Sequence, residues 1–311
     1  MQRNAKSPLV LLKNVYFFQA GIGMLANVFL LLFHIFTTHL VHRLRPTDMI
    51  TCHLAFVHLM MLLITLDILS EDMLRSMNFA NELRCKLLLY LSKVMRGLSL
   101  STTCLLSIIQ VITISPSSFY LSRFKYKLTK HVAIAFFCIL SLNLSSNSYL
   151  IIYTVVYSNR TNLLNVNKYC SLSSMNSMIM TLFFILALSQ NVFFVGIMLF
   201  SSMYMVIFLC RHQRKSEYLH SMSISPRFSP AKRATCTVLL LVSFFVIMYS
   251  VDSIISSFAY ALWKYEPSAL DIQGLLGNIY ATVSPLVLIS SDKRIIGILQ
   301  KMIAMLRVWT C

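Results

Sequence analysis

Long apolar runs separated by short polar and basic segments dominate the chain. A helix needs about 20 consecutive apolar residues to cross the hydrocarbon core of a bilayer. Seven runs reach that length, near 9–36, 48–69, 85–114, 132–156, 177–209, 234–260 and 268–289. The pattern predicts an all-α membrane protein, a seven-transmembrane helix bundle forming a single domain over 1–311. The third run is the most polar of the seven. From Asp292 the apolar stripe narrows to one side of a helix. Lys293, Arg294, Gly297, Gln300, Lys301, Ala304 and Arg307 share one face, while Ile295, Ile298, Leu299, Met302, Leu306 and Trp309 lie on the other. That periodicity predicts an interfacial amphipathic helix over 292–309, its cations turned toward anionic lipid headgroups. The first run, from Asn14 to Phe36, is too long for a signal core and lacks a small-residue cleavage site. It reads as an uncleaved span.

Composition supports the bilayer. Of 311 residues, 57% are hydrophobic and only 12% charged, about half the charged fraction of a soluble domain. The formal charge of +17 does not imply nucleic-acid binding, because the cations cluster in the segments between apolar runs. Such clustering is a topology signal. Sixteen lysines and arginines follow spans one, three, five and seven, and nine lie on the opposite side. The positive-inside rule then places the N-terminus outside and the C-terminus in the cytoplasm. Asn159-Arg160-Thr161 is a glycosylation sequon in the loop after span four, on the predicted outer side. Asn143-Leu144-Ser145 has the same pattern but lies inside span four. Of eight cysteines, Cys85 and Cys170 fall on the outer, oxidising side, either as a bridge or as two free thiols. No Cys-x-x-Cys and no cysteine–histidine group has zinc spacing, so no metal and no cofactor is expected.

Charges inside spans are costly and usually face the bundle interior or a wet cavity. Lys93 and Arg96, three residues apart, share one face of span three. They lie roughly 12 and 16 Å below its outer end, and Asp252 in span six lies at a similar depth, about 12 Å. The three residues are candidates to line an outward-facing ligand cavity, or to form an ion pair between spans three and six. At the other end, Gln110, Arg211, His212, Arg214, Lys232 and Arg233 are candidates to frame a cytoplasmic groove, with headgroup anchoring as the plainer role for the cations. His58 in span two reads as a satisfied polar residue within the bundle.

Several strings carry a resemblance. They are "GMLANVFLLLFHIF" (23–36), "HRLRPTDMITCHLA" (42–55), "RGLSLSTTCLLSIIQVITISP" (96–116), "KYCS" (168–171), the long segment 201–249, and "SPLVLISSDKRI" (284–295). In this order and covering nearly the whole chain, they resemble a mammalian vomeronasal type-1 receptor. The resemblance implies a G-protein-coupled receptor in the plasma membrane that detects pheromones or other small semiochemicals. It also implies activation of a heterotrimeric G protein of Gi/o type, a Cys85–Cys170 disulfide and glycosylation at Asn159. Partners would be a small-molecule ligand, the G protein and membrane lipids, with no enzymatic activity. The chain departs from the wider rhodopsin-like pattern. Gln110 stands where that class has the Arg of Asp-Arg-Tyr, His58 where it has a sodium-binding Asp, and Ser284-Pro285 where it has Asn-Pro. A bitter-taste-type receptor is the nearest alternative. A secondary transporter is the distant one, because no internal repeat is visible and the chain has only seven glycines.

Overall fold

A computed structural model describes residues 6–41, 45–69, 79–114, 128–156, 164–165, 170–172, 176–219, 239–240, 242–244, 246–251, 254–255, 267–292, 294–297 and 300. Its elements are α1 (Lys6–Val41), α2 (Pro46–Leu69), α3 (Phe79–Ile114), α4 (Leu128–Ser146), α5 (Tyr149–Tyr153), β1 (Thr154–Val156), β2 (Leu164–Asn165), β3 (Cys170–Leu172), α6 (Ser177–Leu219) and α7 (Pro267–Ser291). Among the described residues, five helices are long and apolar enough to cross a membrane. These stretches are Asn14–Thr37, Pro46–Asp67, Lys86–Ile114, Leu128–Tyr153 and Met178–Phe208. Leu275–Ser291 is a shorter apolar helix, and residues 242–244 and 246–251 are helical. Of the tail, 294–297 are helical, and the rest of the predicted interfacial helix lies outside the described residues apart from Gln300.

α2 begins where its sequence says it should. Pro46 occupies the first turn, where its missing N–H costs nothing. Asp48 follows in the same turn, favoured by the helix dipole. The backbone N–H groups of Asp48 and Met49 both donate to the Arg45 carbonyl, at 3.0 and 3.2 Å.

The fourth span differs from the predicted helix over 132–156. α4 stops at Ser146, a turn follows, α5 resumes for five residues, and 154–156 form a strand. The cause is local. Side chains of Ser145, Asn147 and Ser148 donate back to carbonyls three or four residues earlier, at 2.8–3.1 Å. Such bonds compete with the helical ladder. Thr154-Val155-Val156 is then a β-branched run suited to a strand. β1, β3 and β2 form a small antiparallel sheet in that order, with Val156 opposite Cys170 and Asn165 opposite Ser171. The hydrophobic pattern does not indicate this sheet. β1 packs against α3.

α3 is the central helix, in contact with α2, α4, α5, α6 and β1. Leu100 and Cys104 pack with Phe194, Met198 and Met205 of α6 and Tyr280 of α7. On another side Leu105, Leu106 and Ile109 meet Ile50 of α2 and Val132 of α4. Gly97 lets α3 and α4 approach closely, since a side chain there would collide with the Asn143 carboxamide. Facing outward, α4 and α6 leave large apolar residues uncovered, among them Phe137, Phe193 and Phe200. An apolar exterior of this kind suits lipid.

Candidate ligand cleft and the polar contacts around it

Arg96 lines a cleft enclosed by α2, α3, the helical segment 246–251 and α7. The lining comprises Met61, Arg96, Ser99, Met248, Tyr249, Leu276, Gly277 and Tyr280. The cleft is narrow and partly open to its surroundings. Among the described residues the walls are mainly thioether, aliphatic and aromatic, and Arg96 is the one cationic side chain on them.

The hydroxyls around the cleft are bonded within the protein, which fixes its shape. Tyr249 donates its phenolic O–H to the Arg96 carbonyl at 2.8 Å, tying segment 246–251 to α3. Ser99 Oγ is 2.9 Å from His58 Nε2. Tyr280 and Thr103 share a hydrogen bond of 3.0 Å. The Tyr280 ring meets His58 edge-on at 5.2 Å and stacks with Phe244 at 6.3 Å. His58 is therefore the satisfied interior residue expected from sequence. Nearby, Thr65 donates to Asn278 Oδ1 at 3.0 Å, and Asn27 Nδ2 donates to the Ala281 carbonyl at 2.9 Å. These bonds join α1, α2 and α7.

The other candidates are distributed as follows. Lys93 is half-buried one turn nearer Cys85 and is not part of this cleft's lining. Asp252 lies outside the described residues, as do Asn159, Lys232 and Arg233. Cys85 sits near the start of α3 and Cys170 opens β3, but their side chains lie outside the description. Gln110 is half-buried near the end of α3, and its Oε1 is fully buried with no hydrogen-bond partner among the described residues. Arg211 is exposed on α6. His212 and Arg214 follow on the same helix, their side chains outside the description. Asp67 is held by Arg84 of α3 through Nη2 and, at 3.3 Å, Nε.

One predicted orientation is corrected. Helical periodicity puts Arg294 on the headgroup-facing side of the tail helix, yet its guanidinium turns back into the protein. Nη1 and Nη2 donate to the two carboxylate oxygens of Asp48 at 3.1 and 2.8 Å. Nη2 and Nε also reach Asp292 at 2.8 and 3.2 Å. The group lies 6.0 Å from the Phe33 ring centroid, and His34 Nδ1 is 3.5 Å from Asp48. Two carboxylates at bidentate distance satisfy the guanidinium fork better than water-facing headgroups. Hydrogen bonding to the Asp48 carboxylate pushes the Arg294 pKa up, against the effect of burial, with Asp292 adding to the rise. Burial alone would raise the Asp292 pKa. Hydrogen bonds from the Arg294 side chain and backbone outweigh it, with the Arg294 charge, and hold that carboxyl below its ordinary value.

Sequence reading missed Tyr249, Ser99, Tyr280, Gly277 and the Asp48–Arg294 pair. The aromatic and small residues match any core pattern, and the ion pair joins positions 246 residues apart. A usable hint was present: an acid in the first turn of α2, flanked by basic segments, needs a partner.

Among the described residues, five long apolar helices around a buried polar interior define a multi-pass helical membrane protein. The vomeronasal organ pheromone receptor family matches residues 10–301, and the chain belongs to that family. It is 41% identical over 292 residues to vomeronasal type-1 receptor 90 of Rattus norvegicus, covering 93% of each chain. Rat vomeronasal type-1 receptor 94 is 38% identical, with 94% of this chain and 89% of the relative covered. Mouse vomeronasal type-1 receptor 45 is also 38% identical, over 93% of this chain and 91% of its own. The chain is thus a receptor and not an enzyme, of a class that binds small ligands and G proteins.

Proposed function

We propose that this chain is a seven-span chemosensory receptor of the plasma membrane, with its N-terminus extracellular and its C-terminus cytoplasmic. It takes a small pheromone or semiochemical in the Arg96 cleft and activates a Gi/o-type G protein. The observation that carries the reading is Arg96 itself, a cation on the wall of a mainly apolar cleft between α2, α3 and α7. Ligand sites of this kind combine an apolar body with a few orienting polar groups. An arginine in a low-dielectric wall favours a ligand with an anionic or strongly accepting group on an apolar frame. By their depth in the sequence, Lys93 and Asp252 would join Arg96 in lining the ligand site, one carboxylate against two cations leaving a net positive charge at this level. A Cys85–Cys170 bridge would hold the β1–β3 sheet over α3, a pairing that suits the packing of β1 on that helix. Gln110, Arg211, His212, Arg214, Lys232 and Arg233 frame the G-protein side, and the amphipathic stretch 292–309 rests on the lipid interface.

The test is a small-molecule screen in cells reporting Gi/o activation, followed by Arg96→Ala in receptor verified at the cell surface. The variant should lose at least about tenfold in potency, the effect of roughly 1.4 kcal/mol. An unchanged response would sink the Arg96 site.

A further inference from the structure

We propose that Gly277 determines ligand specificity in the cleft by seating the flat face of the Arg96 guanidinium against the bare backbone of α7. The proposal rests on the Arg96 cleft being the ligand site. A Cβ built on Gly277 would stand 3.1 Å from Arg96 Nη2, 3.3 Å from Cζ and 3.4 Å from Nε. Approach in the guanidinium plane would bring both nitrogens well inside the carbon distance. Here the carbon falls between them, so the glycine lies over the face of the group. Ordinary contacts between such atoms are about 3.5–4.0 Å. Only a hydrogen at this position lets the guanidinium lie flat on α7.

The seat has two further supports. Tyr249 bonds the Arg96 carbonyl at 2.8 Å, so the backbone from which the side chain springs is itself held in place. Both glycine and arginine line the cleft, so the orientation of the fork is part of the binding surface. With one face covered by α7, Arg96 meets a ligand through the N–H donors at its edge. Edge-on geometry matches a carboxylate or similar oxyanion that accepts two parallel hydrogen bonds in the guanidinium plane. A neutral hydroxyl gains far less from it. Adding a methyl at 277 lifts the group by a few tenths of an ångström and tilts the fork, at little cost to the fold because the neighbour is the tip of a flexible side chain.

The experiment uses the full chain in lipid nanodiscs, with octanoate and octan-1-ol as a matched acidic and neutral pair. Binding is read from the concentration dependence of the thermal unfolding midpoint. Unmodified receptor should bind octanoate more tightly than octan-1-ol. Gly277→Ala should weaken octanoate about tenfold and leave octan-1-ol unchanged. Arg96→Lys keeps the charge and removes the flat face, so adding Gly277→Ala to it should change octanoate affinity less than about twofold. If Gly277→Ala leaves the octanoate preference intact, or acts equally in the Arg96→Lys background, the seat is overturned while the cleft reading stands. Loss of folded receptor in both backgrounds would assign Gly277 to packing and also overturn it. If Arg96→Ala leaves octanoate binding unchanged, or unmodified receptor shows no preference for octanoate, the ligand chemistry of the cleft fails and takes this proposal with it.

Discussion

Asn143 shows how much one buried amide can organise. Its Nδ2 donates to the Ile139 carbonyl at 2.8 Å and to Ser101 of α3 at 3.4 Å, and its Oδ1 accepts from Gln190 of α6 at 3.2 Å. Three helices therefore meet at one carboxamide, and Gly97 makes the room. Gly97→Ala should destabilise the receptor by about 2 kcal/mol, the scale of overpacking in a filled core. Asn143→Ala should cost about 1 kcal/mol, within the range of interhelical hydrogen bonds in membranes. Because the second change removes the atom the first one strikes, the double variant should cost clearly less than the sum. Unfolding midpoints of the four proteins in nanodiscs measure this, and strict additivity would refute the contact. At this scale the sequence was informative where a residue broke a pattern. Arg96 and His58 stood out as polar groups in apolar runs. Gly277 and Tyr249 did not, because their roles depend on which helix faces them.

At the level of elements, the Asp48–Arg294–Asp292 cluster joins the start of α2 to the chain leaving α7 and rests against Phe33 of α1. Asp48 is buried, so removing Arg294 strands a carboxylate. Arg294→Gln should cost about 2 kcal/mol, less than a fully buried pair because the arginine is partly exposed. Asp48→Asn combined with Arg294→Gln should cost little more than either alone. The pH dependence has a definite sign. Asp292 is held below its ordinary carboxylate value, so its contribution is fully present above about pH 4 and lost as pH falls through the lowered value. The stability difference between unmodified receptor and Asp292→Asn should stay constant from about pH 8 to pH 5 and close below about pH 4. A difference that changed near neutrality would exclude this carboxylate as its source. Element boundaries were legible where hydrophobic length decided them, as in α2, predicted over 48–69 and observed as Pro46–Leu69. They failed in the fourth span, where serine and asparagine side chains bond back onto the helix. They failed too in the β1–β3 sheet, whose strands are two or three residues long and carry no period to detect.

For the whole molecule, hydropathy made the membrane class legible because an apolar exterior on α4 and α6 is written directly into composition. Family membership was legible because ordered strings survive where contacts do not. Topology is the global property that most rewards a direct test, since the placing of ligand cleft and G-protein surface follows from it. Two sequons make an internal comparison. Asn143 is fully buried among α3, α4 and α6, beyond reach of a glycosyltransferase. Asn159 follows β1 in the chain, in the loop after span four. If the N-terminus is extracellular, that loop faces the lumen during synthesis, and a glycan attaches at Asn159 alone. Treating the expressed receptor with an endoglycosidase should increase its gel mobility by one glycan. Asn159→Gln should abolish that shift. Ser145→Ala removes the inner sequon while sparing Asn143, because the Ser145 hydroxyl donates to the Leu142 carbonyl and not to the Asn143 network, and it should leave the shift intact. An epitope at the C-terminus should then be detected only after permeabilisation. Detection on intact cells, together with no shift from the unmodified chain, would reverse the orientation and move the Arg96 cleft to the cytoplasmic side.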